Sequence, residues 1–110
     1  MKRICAVALS AILFTSCFNK AVETPVPLYF PTVKLIVQAN CVTCHQPGGQ
    51  GMPVFLTTDS LIVSHAAAIK AAVIDPVTPF NKRMPLGGHL SNADTTTIGR
   101  WFAKGGKATD

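Results

Sequence analysis

The chain has 110 residues, 48% of them hydrophobic, and a formal net charge of +5. That length holds one small domain, which excludes a multidomain enzyme, and a core this small gains from a disulfide, a metal or a cofactor. The cations are scattered along the chain, with no basic run carrying interleaved aromatics, which argues against nucleic-acid binding.

The N-terminus reads as an export signal. Lys2 and Arg3 precede an apolar run, residues 4–14, broken only by Ser10 and too short to span a bilayer comfortably. The run ends in Thr15-Ser16-Cys17, which resembles a bacterial lipoprotein signal, with Phe14 standing where leucine is usual. That resemblance implies removal of residues 1–17 up to Cys17, lipidation of Cys17, and a mature N-terminus there. Secretion with cleavage nearby and a retained anchor are the alternatives. Loss of Lys2 and Arg3 takes the formal charge from +5 to +5 − 2 = +3.

Residues 18–31 contain Pro25, Pro27 and Pro31 and are expected to be an extended tether. Such a tether reaches about 40 Å at ~3.3 Å per residue. Residues 32–40 then carry Val33, Ile36, Val37 and Asn40 in helical register, with Pro31 suited to the first turn. Residues 46–58 are a Gly/Pro-rich loop. A second helix is expected over 61–74, capped by Asp59 or Ser60 and ended by Pro76. Residues 75–90 form a second loop. Ser91 caps a third helix, with Asp94 in the place of the capping-box glutamate, and Gly105-Gly106 stop it. No alternating strand pattern and no internal repeat is visible, so the expected fold is all-α.

Of the four cysteines, Cys5 lies within the signal and Cys17 is the lipid candidate, leaving Cys41 and Cys44. They form Cys41-Val42-Thr43-Cys44-His45, a C-x-x-C-H motif. The spacing lets two thiols meet the two vinyl groups on one edge of a porphyrin, with the next residue's imidazole beneath the iron. The competing readings are weaker. A redox C-x-x-C usually follows a strand in a βαβ unit. A zinc site needs four ligands. A disulfide across so small a loop adds little stability, although it is the common fate of exported cysteine pairs.

Over residues 32–106 the chain resembles a class I cytochrome c domain. The resemblance rests on the short helix leading into Cys41–His45 and on Gly51-Met52-Pro53-Val54-Phe55-Leu56, similar to the family's G-P-x-L stretch. It rests also on Met84-Pro85 and on the closing segment from Leu90-Ser91 through Ile98, Trp101, Gly105 and Gly106. Gln46 and Met52 depart from the family pattern. The resemblance implies three main helices around one covalent haem c, with long Gly/Pro-rich loops and residues 107–110 as a tail. It implies that Ile36, Val37, Ile98, Trp101 and Phe102 form the contact between the first and last helices. It also implies His45 as proximal iron ligand, the Pro53 carbonyl as acceptor for its second ring nitrogen, and haem attachment outside the cytoplasm.

The resemblance implies Met84 as the favoured distal ligand, because the family carries that ligand in a Pro/Gly loop well downstream of the motif; Pro85 biases Met84 toward extended backbone. Met52 lies too close to His45 to reach the opposite face; His89 and His65 are rivals. The expected function is single-electron transfer between redox proteins of a respiratory or dehydrogenase system, at the periplasm or cell surface on a lipid anchor. The alternative is a haem sensor or small-ligand binder with an open distal site. No catalytic triad, phosphate loop or paired acids point to an enzyme.

Overall fold

The computed structural model describes residues 25–110; the signal segment, Cys17 and the first half of the expected tether lie outside the described residues. Four α-helices follow in order: α1 (Phe30–Asn40), α2 (Asp59–Ser64), α3 (Ala66–Val73) and α4 (Asn92–Lys104). A single 3-10 turn, Phe80–Lys82, interrupts the loop before α4. No strand occurs among the described residues, so the fold there is all-α.

α1 begins at Phe30, two residues earlier than expected, with Pro31 in its first turn. No side chain caps it. The free donors of its N-terminal end, Tyr29 N and Phe30 N, instead both donate to the main-chain oxygen of Asp110, each at 2.8 Å. Its apolar face of Phe30, Val33, Ile36 and Val37 is buried against α4. There Trp101 and Ile98 are almost wholly enclosed, and the Phe30 and Trp101 ring centroids lie 5.8 Å apart. Each such aliphatic side chain removed from water contributes roughly 1.5–3 kcal/mol.

The helix expected over 61–74 is two helices with a break at His65. The Ser64 hydroxyl donates to the Leu61 carbonyl at 2.9 Å, the same oxygen that accepts from His65 N at 3.1 Å. A serine competing with the backbone in this way loosens a helix. The cap is Thr58 rather than Asp59 or Ser60: its backbone is extended and its Oγ1 accepts from Leu61 N at 3.3 Å. Asp59 falls in the first turn, where a negative charge suits the helix dipole, and pairs with Lys34 of α1 at 2.8 Å.

α4 is capped by Ser91 as expected, with Asp94 N donating to Ser91 Oγ at 3.1 Å. The shorter aspartate bonds the Ser91 hydroxyl itself, at 2.8 Å, rather than the backbone of the cap. The helix closes on paired bonds from Gly106 N to Trp101 O and from Gly105 N to Phe102 O. Gly105 and Gly106 take φ of +131° and +67°, conformations that favour glycine. Residues 107–110 are not a loose tail. The Lys107 carbonyl accepts from Trp101 Nε1 at 2.8 Å, and Asp110 reaches the start of α1.

Candidate functional site

The end of α1 shapes the Cys41–His45 segment. Cys41 N donates to Val37 O, finishing the helix, and Cys41 O accepts from both Cys44 N and His45 N. This turn puts Cys41 half-buried and Cys44 exposed, both as free thiols. Burial raises the Cys41 pKa, and the neighbouring Cys44 adds to the effect.

The following loop folds back over His45. Gly51 N donates to Cys44 O at 2.8 Å, Val54 N to Gly51 O at 3.1 Å, and Leu56 N to His45 O at 2.9 Å. The acceptor for His45 Nδ1 is the carbonyl of Val54, at 3.0 Å, and not that of Pro53. The reason is the turn closed between Gly51 and Val54. Pro53 lies inside it, and Val54 is the residue that closes it. A carbonyl can only accept, so Nδ1 carries the proton and Nε2 is left with a lone pair.

Gly51 packs directly on the imidazole, a contact that sequence reasoning did not single out. A Cβ at this position would lie 2.5 Å from His45 Nδ1 and 2.7 Å from its Cε1. Gly51→Ala is therefore expected to displace the ring or the loop and to cost about 1–3 kcal/mol, as overpacking does. Denaturant unfolding measures this; an unchanged midpoint would show that the loop yields without strain.

A crevice of about 440 Å³ lies beside this segment, within the range of small-molecule sites. Cys41, Cys44, His45, Gly51, Val54 and Leu56 contribute to its lining from the motif and the first loop. α3 supplies Ala68, Ile69, Ala72 and Val73, and the second loop supplies Lys82, Met84, Pro85 and Leu86. The lining is predominantly apolar. The alanines that favour a helix in the sequence have a second effect here, since short side chains at 68 and 72 leave room.

The crevice brings Met84 together with His45 and both cysteines. His65 lines it too, from the break between α2 and α3. His89 does not; it lines a smaller hollow of about 280 Å³ with Phe80 and Arg83, and Met84 borders both spaces. Met52 is exposed and Pro53 lies on the surface of its turn. No group of three or more His, Cys, Asp or Glu side chains close enough to hold a bare metal ion occurs among the described residues. Comparison of the chain with protein-family models, with characterised proteins and with solved structures finds no match in any of the three.

Proposed function

We propose that this chain is a monohaem c-type cytochrome of the class I kind, carrying single electrons between redox proteins outside the cytoplasm. The observation that carries the reading is the crevice itself. It is apolar, of cofactor size, and lined by the C-x-x-C-H motif together with Met84 from a separate loop.

The donor set fits a haem. Cys41 and Cys44 would hold it by thioether bonds, His45 would ligate iron through Nε2, and Met84 would offer a soft thioether sulfur. Bound there, the group would supply a one-electron couple. The chain's own residues do the rest. The Val54 carbonyl fixes the imidazole tautomer and ring orientation. Gly51 gives the ring its place. The side chains of Ile69, Val73 and Leu56 keep water from the crevice wall, which favours the less charged, reduced state. Two protein ligands would leave no position for a substrate, so the chain serves as a carrier rather than a catalyst. The test is the absorption spectrum of the full chain produced with the haem-attachment machinery of an export compartment. A covalent haem spectrum, with the colour retained after acid-acetone extraction, supports the reading. A colourless, folded protein with a Cys41–Cys44 disulfide overturns it.

The same reading places the protein at the periplasm or cell surface, on lipid at Cys17. Mass spectrometry of the mature protein is expected to find Cys17 as its first residue, bearing several acyl chains, since one alone anchors only weakly. An unmodified N-terminus at or beyond Cys17 rules this out.

A further inference from the structure

The last turn of a helix leaves carbonyls with no partner inside it. In α3 the C-cap Ile74 N takes Lys70 O at 3.0 Å, and the next two carbonyls become the mount for the loop that carries Met84: Ala71 O accepts from the Thr78 hydroxyl at 2.7 Å and Ala72 O from Met84 N at 3.0 Å. The loop thus touches the helix at two places, Thr78 and Met84.

Arg83 joins them. Its Nε donates to the Thr78 carbonyl at 2.9 Å and its Nη2 to the Pro76 carbonyl at 2.8 Å. Thr78 is therefore held from both sides, by the helix through its hydroxyl and by Arg83 through its carbonyl. Arg83 directly precedes Met84 and has extended backbone, with φ −74° and ψ 144°. Its guanidinium is a rigid fork of donors. No carboxylate competes for it among the described ion pairs, because Asp75 faces Lys70 at 3.9 Å.

We propose that Arg83 is a positioning residue: by clamping the Pro76 and Thr78 carbonyls it locks the 75–84 loop on the end of α3 and holds the Met84 side chain toward the crevice. The assignment rests on the reading of Met84 as distal iron ligand. Arg83 itself touches no cofactor. Its loss leaves the buried core intact but frees the loop to open.

The test uses the full haem-loaded chain and the variants Arg83→Ala, Arg83→Gln and Met84→Ala. Carbon monoxide binding to the reduced protein reads how often the distal side opens. Amide exchange at Met84 reads the bond to Ala72. Arg83→Ala is expected to accelerate both by about tenfold or more, as local opening becomes easier, at an unchanged global denaturation midpoint. Arg83→Gln, which can keep at most one of the two carbonyls at a time in this geometry, is expected to fall between. Parental rates in Arg83→Ala overturn the proposal, as does a fall in the global midpoint large enough to account for both accelerations. Met84→Ala separates the two possible failures. If it binds carbon monoxide no faster than the parent, the ligand reading itself fails. If it binds fast while Arg83→Ala does not, only the role of Arg83 fails.

Discussion

Serine at both Cys41 and Cys44 is expected to give a protein from which acid-acetone removes all haem, and whose apoprotein fails to hold a cooperative fold. The first half follows from the proposed thioethers: with both sulfurs gone, only axial bonds to His45 and Met84 would retain the group, and acid protonates the histidine. The second half follows from the crevice. Its volume of about 440 Å³ is large against a core of eleven buried hydrophobic residues among those described. Without the group its apolar walls would face water, and a domain held together by only ~5–15 kcal/mol tolerates little such exposure. Circular dichroism and denaturant unfolding of the double variant measure the second effect, and extraction measures the first. Undiminished haem after extraction would falsify the attachment sites.

Alanine at Met84 is expected to have the next largest effect. A thioether favours ferrous over ferric iron, so removing it lowers the midpoint potential. The drop should be on the order of 0.1–0.3 V, part of the ~0.8 V range that axial ligands command. The weak sulfur-to-iron band of the ferric protein should vanish, and carbon monoxide should bind rapidly to the reduced form. Met84→His should restore a six-coordinate iron at low potential. The structure bears on the rivals through placement: His65 lines the crevice and His89 does not. His65→Ala is therefore the informative control. If it changes spectrum and potential while Met84→Ala changes neither, the distal ligand is His65. If the parent protein itself binds carbon monoxide rapidly, the distal side is open and a ligand-binding or sensing role replaces electron transfer.

The positions of α1 and α4 were legible because local signals mark them: Pro31 in a first turn, Ser91 before an apolar period, and Gly105-Gly106 after it. The break at His65 was not legible, because the apolar period runs on from Ile62 through Ile69. At the break the Ser64 hydroxyl shares the Leu61 carbonyl with His65 N, a local bond that no apolar period reveals. The placement of Met84 in one crevice with His45 was expected from the family resemblance, which puts such a residue in a downstream Pro/Gly loop. The replacement of Pro53 by Val54 as acceptor did not, since it depends on where a turn closes, to within a single residue. Arg83 was invisible for a related reason. Its partners are main-chain carbonyls, which every residue possesses, so no side-chain pattern announces them.

The stitching of Asp110 to Tyr29 and Phe30 joins the two extremes of the folded region. A polypeptide leaves the ribosome, or threads a translocation pore, with its N-terminal side leading. α1 and the Cys41–His45 segment therefore emerge well before α4, the apolar face against which α1 must pack, and before the residues that satisfy its first amides. Contacts so distant along the chain close last. Until α4 arrives, α1 lacks the face it packs on, and the Cys41–His45 turn at its end is correspondingly less fixed.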